Sequence, residues 1–253
     1  MPLNTASSSQ PGLHRRLQLR AEPGHCAVAL EDDFHRFDMT LRHDGARALG
    51  FAVRAERTPW TLCWEAAERL SEFEGLPIGP ASVKALAAFD AKQQCTHLYD
   101  LTALLLSHAG RGGERLIDAF VSDPVDGRAV AELRIDGALR LRWQLAGTQI
   151  LDEGVYAGQN LRSIMPWALA TLAPQDLEDA FVLRRACMVS MGRSVDLDDY
   201  PTALPSMQHK AGACFVFQPE RAYRAVRAFG STRKDVHGPD DLLRGVAAAQ
   251  PPR

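Results

Sequence analysis

Two stretches of this chain alternate apolar and polar residues with a period of two and close on hairpin turns. That pattern restricts the fold more than anything else in the sequence. Phe37, Met39 and Leu41 alternate with Asp38, Thr40 and Arg42, and His43-Asp44-Gly45 follows as a turn. Further on, Asp136-Gly137 separates the runs Ala129 to Ile135 and Leu139 to Leu145. A period of two sends alternate side chains to opposite faces of a strand, and a tight turn joins neighbours in the antiparallel sense. The chain is therefore expected to build antiparallel sheet from local hairpins and not a doubly wound parallel sheet.

The remaining elements follow from their periodicity. Strands are expected at Leu13 to Arg20, Cys26 to Leu30, Phe34 to Leu41, Ala46 to Arg57 and Leu116 to Val121, with Leu49, Phe51 and Val53 sharing one face of the fourth. Pro59 opens a helix carrying Trp60, Cys63, Ala66 and Leu70, and Ser82 to Phe89 forms a short one. Thr96 to His108 is a longer apolar helix ended by glycines, and Leu161 to Leu172 and Asp176 to Met191 are helical. The apolar run Cys214 to Phe217 reads as a strand docked on the main sheet, covered by a Pro219 to Phe229 helix through Tyr223, Val226 and Phe229. The fold class is α+β: a curved antiparallel sheet gripping the Thr96 helix, with a C-terminal helical extension. One domain spans residues 13–236, in halves 13–113 and 114–236, between a disordered tail at 1–12 and a frayed tail at 237–253. No internal repeat is visible.

Composition removes several classes of function. The formal net charge is -2, so no basic excess exists to neutralise a phosphate backbone, and nucleic acid is not an expected partner. No apolar run approaches the roughly 20 residues of a membrane span, and the polar N-terminus lacks the core of a secretory signal. Five cysteines, an odd and scattered set, read as thiols in a reducing, cytoplasmic compartment. The expected partner is a small-molecule substrate. The open edges of an antiparallel sheet add a homodimer to that expectation.

Gln94-Cys95-Thr96-His97-Leu98 resembles a motif of the bacterial domain-of-unknown-function family 2889. Glu31-Asp32-Asp33-Phe34-His35, Pro59-Trp60-Thr61-Leu62-Cys63 and Gly75-Leu76-Pro77-Ile78-Gly79 stand at the family's order and spacing. The resemblance covers Leu13 to Ala109, and Gly212 to Arg233 looks like an extension found in longer members. It implies no defined activity. Its members look like accessories of catabolic pathways for aromatic, steroid or acyl-coenzyme A compounds.

The candidate chemistry clusters at two places. Cys95, His97 and Asp100 stand at the start of the apolar helix, where a helix dipole would favour a thiolate and an imidazole could serve as base. Residues two apart do not share a helix face, so the pair works only if Cys95 is still in the loop. Asp32, Asp33 and His35 open the third strand, where a carboxylate could fix the tautomer of the histidine. His35 and His97 are the expected proton-transfer residues, oriented by Asp33 or Asp100, with Cys95 lining the pocket or acting as nucleophile. Trp60, Tyr99, Tyr156, Asn160 and Met207 are expected against the substrate, Met207 from a Tyr200 to Gly212 loop lying over the pocket as a lid. His14, His25, His43 and His108 read as solvated or capping residues. Arg184, Arg185 and Arg193 fit either an anion site or a solvated face.

A zinc set of His35, Cys63, Cys95 and His97 has the right ligand types but no standard spacing, so neither metal nor cofactor is expected. Gly110-Arg111-Gly112-Gly113 lacks the residues of a phosphate loop. The expected function is cofactor-free acid/base catalysis, as a lyase, isomerase or hydrolase, on a small aromatic, alicyclic or acyl intermediate. The alternative is a non-catalytic protein that binds a hydrophobic metabolite or a partner enzyme.

Overall fold

The structure, a computed structural model, describes residues 10–244. Of the tails expected at 1–12 and 237–253, residues 1–9 and 245–253 lie outside the described residues. Four strands open the chain: β1 (Gly12–Glu22), β2 (His25–Glu31), β3 (Arg36–His43) and β4 (Ala48–Arg57). A 3-10 helix (Cys63–Phe73), α1 (Ser82–Leu86) and α2 (Thr96–Ala109) follow. A second set of strands comes next: β5 (Gly113–Ser122), β6 (Arg128–Ile135), β7 (Ala138–Ala146) and the short β8 (Gln149–Ile150). Then come α3 (Ile164–Thr171) and α4 (Pro174–Ser190), which a 3-10 turn extends to Ser194.

All eight strands form one curved, unclosed antiparallel sheet in the order β4-β3-β2-β1-β5-β6-β7-β8. Two meanders thus meet edge to edge through β1 and β5, paired from Gly12–Ser122 to Ala21–Gly113. The fold is α+β, as the hairpin pattern requires. Helix α2 lies against β1, β2 and β3, and α4 lies across β5, β6, β7 and β1. From His97 to His108 every residue of α2 is buried, which explains a helix apolar on nearly all sides. No described helix is long and apolar enough to cross a membrane.

Local departures have physical reasons. Leu49 is exposed and does not share the face of Phe51 and Val53, because β4 bulges there: Gly50 pairs with Arg42 and Ala48 with His43, leaving Leu49 unpaired. The Pro59 helix begins only at Cys63 and is 3-10 in form. Its buried residues Cys63, Ala66, Leu70 and Phe73 are three or four apart, a spacing that both helix types satisfy.

The C-terminal expectation is corrected. Residues 214–217 form turns and not a strand. The Phe215 amide donates to the Gln94 carbonyl at 2.9 Å, and Arg221 covers the Phe215 ring at 4.0 Å. After the four-residue α5 (Met207–Lys210), the four-residue α6 (Pro219–Ala222) stands in place of the expected Pro219 to Phe229 helix. Tyr223, Val226 and Phe229 are exposed, and the residue buried in their place is Arg227. Its guanidinium donates to the Pro59 carbonyl, Asp198, Ser231 and Thr232, each at 2.8 Å. The end of the described chain is not frayed either: Leu242 and Leu243 are buried, and the Leu243 amide donates to Glu31 at 2.7 Å. Gly12, placed in the N-terminal tail by sequence, already belongs to β1.

Candidate functional site

The tight turn between β2 and β3 organises the site. Asp32 stands first in it, and its Oδ1 accepts from the amides of Phe34 and His35, both at 2.8 Å. This is the local closure that makes aspartate a turn residue. The same oxygen lies 3.0 Å from His35 Nδ1. An ionised carboxylate can only accept, so the His35 proton sits on Nδ1 and the free lone pair on Nε2. The other Asp32 oxygen is ion-paired with Arg15 of β1, and both side chains are sealed from solvent. Arg57 clamps the turn from outside, donating to the carbonyls of Asp32 and Asp33, each at 2.7 Å.

His97, in the first turn of α2, brings its ring against His35 with centroids 3.7 Å apart and planes tilted by 33°. Phe37 lies about 6 Å from both rings. Cys95 is the N-cap of α2 in extended conformation, which puts its Sγ 4.0 Å from His97 Nδ1. His97 Nε2 is buried and has no hydrogen-bond partner among the described residues. Burial lowers both imidazoles; the charge and hydrogen bond of Asp32 work against this at His35, whereas the neighbouring His35 and Arg15 drive His97 lower still. Burial works to raise Asp32, but the charges of His35 and Arg15 hold its carboxyl well below the usual range.

The pair opens on a cavity of about 770 Å³ between α2, α3, α4 and the C-terminal turns. Volumes of this size hold small organic ligands. Of the residues expected at a site, His35, Cys95, His97, Trp60 and Tyr99 line this cavity. The Tyr99 hydroxyl is already committed to the Leu86 carbonyl at 2.7 Å.

Other expected residues sit elsewhere. Asp100 orients no histidine: it is paired with Arg185 of α4, with contacts of 2.5 and 3.2 Å. Asp33 turns away into a second cavity of about 720 Å³, where it meets Arg193 and where His14 also faces. Burial outweighs that guanidinium and holds the Asp33 carboxyl at about 6. Tyr156 packs edge-on between Trp143 and Trp167. Asn160 is a turn residue, donating to Thr148 and accepting from the Arg162 amide. Met207 packs on the core outside the cavity lining, whereas Lys210, Ala211 and Gly212 at the end of its loop do line it.

The thiols are not activated. Burial pushes Cys95 up to about 12 despite its place at a helix start, and raises Cys63 and Cys214 as well. The four-residue zinc set is not assembled. Among the described residues the one gathered group is Asp32, His35 and His97, with ligand atoms within 4.8 Å of one another. Its carboxylate is taken by two amides, His35 and Arg15, and His35 Nδ1 is turned to that carboxylate. With those atoms engaged, the group fits an orienting triad better than a ligand set. Of the remaining histidines, His14 is buried against Phe120, contrary to its solvated reading. His43 accepts from the Gly45 amide and His108 donates to the Gly113 carbonyl, both as caps.

Sequence reasoning chose the wrong aspartate of the pair and missed Arg15. The available signal was position: the first residue of a turn is the one whose carboxylate reaches back to the following amides. Compared with models of known protein families the chain matches none, and compared with curated proteins it matches none.

Proposed function

We propose that the protein is an enzyme of small-molecule catabolism that transfers a proton at a ligand held in the large cavity. The observation that carries this reading is the Asp32–His35–His97 arrangement at the edge of an apolar chamber. His35 Nε2 accepts a proton from an acidic C–H or O–H of the ligand. The Nδ1–H bond to Asp32 stabilises the imidazolium that forms. His97, packed against the same ring, disfavours a second positive charge, so the two neutral imidazoles take up at most one added proton between them. A lyase or an isomerase can use this step on the ligand, and a hydrolase can use the same base on an attacking water.

The family resemblance remains part of the proposal. Of the four runs that carry the resemblance, Glu31 to His35, Pro59 to Cys63 and Gln94 to Leu98 each supply residues to this cavity. A cytoplasmic setting accords with five cysteines that are all free.

The test is deuterium exchange. Aromatic, alicyclic and acyl carbonyl compounds are incubated with the protein in D2O and analysed by mass spectrometry. Protein-dependent deuterium uptake is expected, falling by about 10²–10⁴-fold in His35→Gln. Compounds that bind the cavity without exchange or conversion would replace this reading with that of a binding protein.

A further inference from the structure

The charged residues lining the large cavity are all of one sign. Lys92, Arg162, Arg184, Arg185 and Lys210 line it, and among the described residues no aspartate or glutamate does. The whole chain carries a net charge of -2, so this is a local excess against the overall balance. Arg185 is neutralised by Asp100. Arg184 and Lys210 are not: among the described residues neither forms an ion pair, although both are partly buried. Arg184 spends its Nε on the Leu161 carbonyl at 2.6 Å, which leaves the Nη groups without an acceptor among the described residues. Lys210 has only the face of Phe217, 5.6 Å from its Nζ.

Cations in such a place normally acquire a partner, because water is excluded and the charge is poorly solvated. Both show that cost: burial lowers Arg184 to about 10 and lowers Lys210 too. At neutral pH both remain charged. The rest of the wall is apolar and includes Met165, Leu169, Phe181 and Met188. An apolar chamber with low-dielectric walls and unpaired cations focuses positive potential on whatever enters it.

We infer that the cavity takes an amphipathic anion, with an apolar body against α3 and α4 and a carboxylate or phosphate-ester head at one of the two unpaired cations, Arg184 or Lys210. This rests on the cavity being the ligand site of the proposed proton transfer, and it names the class of molecule that reaches His35. A guanidinium with free Nη groups presents the parallel donors that carboxylates and phosphates accept in pairs.

The test uses binding alone. Decanoate, decyl phosphate, decan-1-ol and decyltrimethylammonium are titrated into the full chain by isothermal calorimetry at pH 7. At least one of the two anions is expected to bind at least tenfold more tightly than the alcohol, and the ammonium not to compete. The tighter of the two names the head group. Of Arg184→Gln and Lys210→Met, the one that removes the head's cation is expected to weaken that anion about tenfold and leave the alcohol unchanged, in protein that still melts cooperatively. Equal affinity for anions and alcohol in the unmodified chain overturns the inference, as does full anion affinity in both variants. Head-selective binding without deuterium exchange upholds this inference while the proton-transfer reading fails. Exchange on neutral compounds with no preference for anions does the reverse.

Discussion

The guanidinium of Arg15 and the carboxylate of Asp32 form an ion pair in which neither side chain is more than 2 % exposed. Such a pair is costly to break from one side, because the surviving charge is buried without a partner. Arg15→Leu is expected to lose about 3–5 kcal/mol in urea titration. In a chain of this size that lowers the melting temperature by on the order of 10 °C. Adding Asp32→Asn to Arg15→Leu removes the stranded charge. The double variant should therefore lose less than the sum of the two single losses, and full additivity would contradict the pairing.

Both site histidines are lowered by burial, so they are neutral in the folded chain at pH 7. As pH falls below about 6.5 the unfolded chain takes up protons that the folded chain refuses, and stability declines. Each histidine contributes a slope of at most about 1.4 kcal/mol per pH unit. Asp33, held at about 6, acts in the opposite direction: between its unfolded value and 6 the folded chain binds the extra proton. Urea titrations from pH 7.5 to 5.5 in an Asp33→Asn background should show the decline clearly, and His97→Phe should flatten it. A slope unchanged by His97→Phe would mean that His97 titrates normally.

Cys95 is held near 12. Iodoacetamide at pH 7.5 should alkylate it at least about 100-fold more slowly in the native chain than in urea, as judged by peptide mass spectrometry. Rapid native labelling would restore the thiol nucleophile as a candidate.

Gly192 stands against Phe34, and a Cβ placed on it would meet the ring at 3.1 Å. Phe34 and Gly192 line both cavities, so this contact partitions them. Gly192→Ala should force the ring aside at a cost of about 1–3 kcal/mol. The same change should alter binding of the decyl probes, whereas a melting temperature and affinity both unchanged would show that the partition is soft.

Removing everything after Val236 deletes Leu242 and Leu243, both buried, together with the amide that donates to Glu31. Burial of a leucine stabilises by about 1.5–3 kcal/mol. The shortened chain should stay folded but melt measurably lower. Truncation after Met207 also removes Phe215, Val216 and the buried Arg227, and is expected to give insoluble protein. A soluble chain that melts cooperatively would show this segment to be an appendage.

Much of the sheet was legible because hairpins are local: period-two runs and Asp136-Gly137 report strands that pair with their neighbours in sequence. Cys214 to Phe217 misled because a short apolar run looks the same whether it joins a sheet or packs as turns. At the site, His35, His97, Cys95, Trp60 and Tyr99 reach one cavity as expected, because each lies in or beside a readable element. Partner choice was not legible. Asp100 and Arg185 are 85 positions apart, and nothing in either run announces the other. Asp32 and Asp33 are neighbours of one chemical type, separated only by the direction the turn gives each.

The seam between the meanders sets one more quantity. His35 and His97 come from the half that ends with α2, and Arg184 and Met188 from the half that ends with α4. These halves adjoin along β1 and β5 in a single register. A strand advances about 3.3 Å per residue, so a two-residue slip there would carry one wall of the cavity about 7 Å past the other while leaving each meander intact. The register of β1 on β5 is therefore the ruler between imidazole and guanidinium. The reach of any molecule that touches both is written in the pairing of Leu17 with Ile117.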